Sequence, residues 1–523
     1  WGNFNTGFTG TEMAEYSRSL YGAKLEHRNV KVTEFGEHVT ELQLFGSEAQ
    51  TAASHNEFAA TGGSLYYLRD DDVVDGSEKV WVEVRSRDTE QVRNSIILVR
   101  GRDYAIDYLQ GRVILTRPLS SVSNENDGAI IKDAPIEGDD VFLLVDYEYE
   151  PETFETDQVT AGARGKVWLT DHIAIGATHV SEKRDQMDYG LNGLDITLRA
   201  GENSYLRLEY AESESQQSLN SSRSNDGGLS FGSTRRADAT TTTGNSQISG
   251  EAIGVEARVN LAEVSKLEGL ILAWYKDKEA GFSSVARLDD GQDEKDMGVE
   301  LELQVTENFK ISSQINQLER EGSTTRLVGQ IQGRYNLTDK VQAALEFRSE
   351  DTDDVSDADR DSSASLVGGE LRMQVSERTE VYGQGQVSLK TSGDYRDNNQ
   401  ATLGVRSQLT SKLNGKVELT SGDRGEGVVA GVEYAVTPSM NVSIAGGIGD
   451  GAATEIGTNY VTGNGLELYG SYAINPDGDS NGEYSDSGNI FTIGARKQYG
   501  NSLKLYTENQ FRHADAEAGI SHV

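Results

Sequence analysis

A chain of 523 residues with 85 acidic and 48 basic side chains carries a formal charge of −37. That argues against nucleic acid as a partner, because binding there rests on Lys and Arg neutralising phosphates. Only 36% of the residues are hydrophobic and there is no Cys, which removes disulfides and thiolate metal sites from consideration. No run of about 18 apolar residues occurs, which excludes a membrane-spanning helix; it does not exclude membrane-spanning strands, which need only about 10 residues with every second one apolar.

In chain order, strands are expected at 1–9, 19–30 and 38–47, and residues 1–48 read as the first strands of a barrel. The rhythm breaks over 49–155, which reads as an inserted soluble β-domain, a plug or a cap. Its strands are Ser64–Leu68, Lys79–Val84, Ser95–Val99, Arg112–Leu115 and Val141–Val145. The continuous apolar run Ile96–Val99 predicts a strand buried on both faces. A hairpin is predicted to turn at Leu109-Gln110-Gly111, where Gly111 supplies the backbone freedom. The stretch Gly101-Arg102-Asp103-Tyr104-Ala105-Ile106-Asp107-Tyr108-Leu109-Gln110-Gly111-Arg112-Val113 resembles a motif of large bacterial surface and outer-membrane proteins, among them the giant translocon barrel of the gliding-motility (type 9) secretion system. Gly62–Arg69 and Gly76-Ser77-Glu78 look like parts of the same class. The resemblance covers residues 1–155, implies an extracytoplasmic β-domain accompanying a barrel, and transfers no catalytic or binding residue.

From 156 to 523 the sequence reads as the main barrel. Val299-Glu300-Leu301-Glu302-Leu303-Gln304-Val305 alternates strictly, as do Val341–Arg348 and Gly369–Val375, so apolar residues line one face and polar residues the other. In a membrane barrel the apolar face meets lipid, which places Glu300, Glu302, Gln304, Glu346 and Glu370 toward the lumen. Short elements recur at strand ends: Leu169-Thr170-Asp171, Val305-Thr306-Glu307, Leu337-Thr338-Asp339, Val375-Ser376-Glu377, Leu409-Thr410-Ser411 and Val436-Thr437-Pro438. They predict tight Ser/Thr/Asp turns, with longer polar loops at 215–248, 279–295, 350–364 and 475–488 at the other rim. Trp168, Tyr335 and Tyr434 precede such turns and are expected in an interfacial aromatic girdle. The fold class is therefore all-β, a transmembrane antiparallel barrel of at least 22 strands with an inserted β-domain. Turn parity feeds that domain into strand 157–168 from the outer rim, and so puts it at the extracellular mouth or down in the lumen. The ends at Trp1 and at Ser521-His522-Val523 lead us to expect a longer parent chain.

Chemistry is sparse. The seven His, at 27, 38, 55, 172, 179, 513 and 522, show no paired metal spacing. His179-Val180-Ser181 and His513-Ala514-Asp515 lack the further partners that outer-membrane hydrolases need, and no nucleophile elbow or P-loop appears. No enzymatic role and no resident cofactor are expected. The acidic loops hold hard oxygen ligands close together, and Asp351, Asp353, Asp354, Asp357, Asp359, Asp477 and Asp479 are candidate Ca²⁺ ligands. The expected setting is the bacterial outer membrane with these loops outside, in contact with lipid and lipopolysaccharide, and with protein partners in an envelope complex. The expected function is a plugged or capped barrel serving as conduit or anchor in secretion or surface display. The alternative is a passive, cation-preferring porin.

Overall fold

The structure, a computed structural model, describes residues 2–522 except 9, 17, 49–50, 86–91, 121, 124–129, 133–138, 151–158, 184–187, 216–219, 234–247, 285–291, 323, 355–360, 438–439, 450–453, 463, 476–487, 501–502 and 515–517. Twenty-four strands make one sheet. By hydrogen-bonded partners the row starts with Gly2–Asn5, Ser19–Arg28 and Thr40–Glu48, then passes directly to Val159–Thr170. From there sequence neighbours pair antiparallel as far as Ala518–His522, apart from two short strands within 220–233 that join another sheet. No helix among the described residues is long and apolar enough to cross a membrane.

The tight turns have one local cause. Strands end at Thr170, Thr306, Thr338, Ser376 and Thr410, and the next strand starts three residues on. In each case the hydroxyl oxygen accepts from the backbone N–H two residues later, at 3.1–3.3 Å. This is the local bond that makes Ser and Thr turn formers. Each turn also carries a register shift just before it, as a β-bulge does when it bends a rim. Gln304 and Gln374 close the same turns by donating to the carbonyls of Thr306 and Ser376.

Alternation then sorts the faces. Leu345 is 69% and Leu403 68% exposed on the outward side, while Glu346 and Thr402 beside them are buried inward. A continuous outward apolar surface of this extent does not persist in water, so it is the lipid face. It ends on one cross-strand row: Lys295, Glu319, Thr325 and Asp353 are successive cross-strand partners. From Met297 to Val305 the strand runs about 26 Å, or about 20 Å after a tilt of about 40°, comparable with the apolar band of membrane barrels. Tyr335 packs against Phe309 at the turn end of this band, and Tyr434 is likewise outward. Trp168 corrects the girdle expectation: it shares parity with Arg164 and Lys166, is buried, and lies against Lys166 Nζ at 5.1 Å and Arg199.

The inserted domain leaves the sheet after Glu48 and returns at Val159, so the strands flanking it pair with each other. Its larger sheet runs Gly232–Ser233, Asn220–Ser224, Ala52–Ala59, Asp139–Tyr149, Lys79–Arg85, Val92–Ile97. A three-stranded sheet of Leu65–Tyr67, Arg112–Leu115 and Tyr104–Asp107 packs on it around Phe58, Tyr66, Val80, Val113 and Leu143. The hairpin turns as predicted, with Gly111 at φ 58°. Two expectations are corrected. Val92–Ile97 is an edge strand that pairs, among the described residues, only with Lys79–Arg85, so Ile96 and Ile97 are more than half exposed rather than buried on both faces. Segment 215–248 is more than an outer loop, because Asn220–Ser224 adds to the domain sheet in parallel with Ala52–Ala59.

The domain touches Val341–Asp354, Leu413–Gly422 and Leu503–Ala514 directly, and Arg18 links its Glu148 to Glu182 on Ile173–Glu182, strands far apart in the row and always met on their inward face. A wall can meet one compact body from such distant strands only by curling around it, and that makes the sheet a barrel with the domain inside.

Candidate functional site

The site is the set of contacts between inward-projecting chain and barrel wall. The loop after Gly2–Asn5 folds inward and buries Phe8, Met13, Ala14 and Tyr16 against Phe45, Val180 and Leu191. Those three wall residues break the polar pattern of the inward face because the loop covers them. Gly193 provides room: a Cβ there would fall 2.3 Å from that of Ala14. Glu209 receives two successive backbone N–H groups, from Glu12 at 2.7 Å and Met13 at 2.9 Å.

Arg18 joins loop, domain and wall. Its Nη1 donates to both carboxylate oxygens of wall Glu182 at 2.8 Å, and its Nε and Nη2 donate to Glu148 of the domain. Tyr16 OH donates to Glu182, and Thr51 Oγ1 donates to Glu148 at 3.0 Å. Arg18 is 3% exposed, so the charges survive burial only by satisfying one another.

Two further contacts repeat the Glu209 pattern on later strands. Glu508 accepts from Ser64 N at 3.0 Å, Leu65 N at 3.3 Å and Ser64 Oγ at 2.8 Å, with Tyr469 OH on the same carboxylate. Ser471 Oγ donates to the Gly62 carbonyl at 2.7 Å. Glu346 accepts from Ile130 N at 2.8 Å and Ile131 N at 3.4 Å, and Gln386 accepts from Lys132 N at 2.8 Å. Lys132 Nζ donates to Glu418. Gly368 opens the space for this segment, since a Cβ there would sit 2.9 Å from Ile131.

Inside the domain, Glu57 receives Arg85 at 2.9 Å and also Arg223 from the barrel loop. Burial alone would raise the Glu57 carboxyl, but the two guanidinium groups outweigh it and hold it at about 2. Both guanidinium groups also lie over the Phe142 ring, at 4.5 and 5.5 Å. His55 Nδ1 meets Asp146 Oδ1 at 2.6 Å. Burial pushes the imidazole down, and the hydrogen bond and charge of Asp146 more than reverse that, so its pKa is raised.

The residues singled out from the sequence fall in several places. Glu346 belongs to the domain contact. Glu370 is held by Arg372 at 2.6 Å and Gln384 at 2.7 Å, with Arg334 at 3.5 Å. Glu302 pairs with Lys310 at 3.1 Å, Glu300 lies opposite Gln314 in the ladder, and Gln304 caps its turn. Asp351 and Asp353 are exposed outward, whereas Asp354 is buried on the opposite face and its N–H donates to Asp361 at 2.8 Å. Asp357, Asp359, Asp477 and Asp479 lie outside the described residues. No group of three or more His, Asp or Glu placed to hold a metal occurs among the described residues. His179 faces outward and bonds Asn192 at 2.7 Å. Sequence reading missed Arg18, Glu148, Glu182, Glu209, Glu418 and Glu508. Inward parity was the available signal for the wall glutamates, but nothing local announces a partner hundreds of residues away.

No family model matches the chain, and no curated protein sequence is similar to it. Its fold is similar to several solved structures. The FrpB iron transporter from Neisseria meningitidis (F3-3 variant) overlaps at TM-score 0.35 with 9% identity, over 70% of this chain and 78% of that one. The copper transporter OprC overlaps at 0.35 with 10% identity, over 70% and 76%. The FpvAI–pyocin S2 complex overlaps at 0.30 with 10% identity, over 88% and 80%. Similarity at this level assigns neither cargo nor mechanism. None of the three is a gliding-motility translocon, so that finer resemblance gains no support from them.

Proposed function

We propose that this chain is an integral outer-membrane barrel closed by its own inserted domain, acting as conduit or anchor in a larger envelope assembly of secretion or surface display. The observation that carries the reading is the seating of residues 52–149 on inward-facing wall residues of strands as distant in the row as Val341–Asp354 and Leu503–Ala514, with Arg18 linking Glu148 to Glu182 on Ile173–Glu182. A wall of 24 strands is too wide to be filled by its own side chains, and here a folded domain occupies that space. The acidic residues that would line a cation-preferring porin are engaged instead: Glu346 by Ile130 and Ile131, Glu370 by Arg372. The long loops at the domain's rim then face outward, toward lipopolysaccharide and protein partners.

Planar-bilayer recording tests this reading. The whole protein is expected to be silent, and a variant with 52–149 replaced by a short flexible linker is expected to open wide, steady channels. Steady cation-selective openings of the unaltered protein would favour the porin instead. A folded deletion variant that stays closed would show that the domain does not close the barrel.

A further inference from the structure

The domain is fastened to the two halves of the wall by different chemistry. On the amino-terminal half it is continuous with Thr40–Glu48 and Val159–Thr170 through the chain itself. It shares a backbone ladder with Asn220–Ser224 over five residue pairs, from Asn220↔Ser54 to Ser224↔Phe58. Arg18 adds two buried ion pairs on that side, and Glu57–Arg223 a half-exposed one. On the carboxy-terminal half, from Val341 onward, no strand pairing among the described residues joins domain to wall. The domain is held there by two clasps of side-chain contacts, which include the buried Lys132–Glu418 ion pair and the packing of Ile131 on Ala364 and Leu366. One is Glu346, Gln386 and Glu418 around residues 130–132, and the other is Glu508, Tyr469 and Ser471 around residues 62–65.

The geometry points to a one-sided release: the plug lets go of the carboxy-terminal wall at the Glu346 and Glu508 clasps while it stays fastened to the amino-terminal wall, and the path opens along strands 341–514. This rests on the plugged-barrel reading and adds where and how it opens. A carboxylate that receives two consecutive backbone N–H groups makes charge-assisted bonds yet reads no side chain, and the apolar packing behind the Glu346 clasp is small, Ile131 on Ala364 and Leu366 with Tyr395 beside them. A shared backbone ladder must break several bonds together. The amide of Gln replaces one acceptor oxygen with a donor that opposes the incoming N–H, so Glu346→Gln and Glu508→Gln weaken both clasps at nearly constant shape while the Lys132–Glu418 and Ser471–Gly62 contacts stay.

The chain has no Cys, so single cysteines serve as reporters. Ile131→Cys reports the carboxy-terminal side and Ser222→Cys the amino-terminal side, both positions being fully buried. Each is placed in the parent and in the Glu346→Gln/Glu508→Gln double variant, reconstituted in phosphatidylcholine vesicles and treated with a membrane-impermeant maleimide, with bilayer recording alongside. The double variant is expected to show channel openings and about tenfold faster labelling at Ile131→Cys, the effect of losing one to two kilocalorie-scale charged bonds, with Ser222→Cys unchanged. Equal acceleration at both reporters would overturn the proposal, since the domain would then be loosening as a whole. So would a double variant that stays closed and unlabelled. Glu370→Gln, a wall carboxylate without a domain contact, is expected to stay closed, and openings as frequent as in the double variant would assign the effect to lumen charge. Failure of the underlying reading looks different: the unaltered protein would conduct steadily whatever the reporters show.

Discussion

Arg18 carries two buried carboxylates from two different parts of the molecule, Glu148 and Glu182. Removing it leaves both uncompensated, and breaking one partner of a buried ion pair typically costs about 3–5 kcal/mol. Arg18→Met is therefore expected to lower the thermal midpoint clearly, while the double change of Glu148 and Glu182 to Gln in that background recovers part of the loss; no recovery would mean that packing of the stem, not charge, sets the cost. Glu57 supplies a pH dependence. Its folded value near 2 lies below its ordinary 4.5, so its contribution is complete above about 4.5 and disappears as pH falls from there toward 2. The shift corresponds to about 3 kcal/mol. Melting followed from pH 5 to pH 2 should fall more gently in Glu57→Gln than in the parent, and identical slopes would remove Glu57 from the acid response. His55 runs the other way: its raised value gives stability present at low pH and lost as pH rises through its folded pKa.

At the scale of elements, much was legible because strand chemistry is local. The Thr or Ser at the turns after Thr170, Thr306, Thr338, Ser376 and Thr410, the strict alternation at Val299–Val305 and the glycine of the 109–111 turn all act within a few residues. Each appears where those residues lead one to expect it. The expected turn at Val436-Thr437-Pro438 runs into residues outside the described ones. The misses were non-local. Ile96–Ile97 reads as a buried strand by composition, but burial depends on a neighbour, and the described structure gives that strand a neighbour on one side only. Segment 220–224 is polar and loop-like by itself, and becomes a strand because the edge of Ala52–Ala59 is there to receive it. Trp168 lies on the polar parity of its strand, which weighs more than its nearness to a turn. The lipid face makes its own prediction. Leu345→Arg, mid-band and outward, should cost about 2–4 kcal/mol in folding into lipid vesicles, whereas Thr325→Arg, at the polar edge line, should cost about 0–1 kcal/mol. Equal costs would mean that the band ends elsewhere.

For the molecule as a whole, class and rough strand number follow from alternation and turn spacing, but the way the domain is seated does not. Ser64 and Glu508 are 444 residues apart, and Lys132 and Glu418 are 286 apart; no spacing in the sequence marks such pairs. The same separations carry a consequence for assembly. The strands on either side of the domain bond directly to each other, so the wall can grow past the domain without waiting for it. The contacts to Glu346, Glu418 and Glu508 can form only after most of the wall exists. Contacts this distant in sequence are slow to form because loop closure must precede them. The domain, built almost entirely from its own stretch of chain, can fold early and act as the mandrel around which the later strands are wound, so that being shut is the condition in which the barrel is born rather than one it acquires.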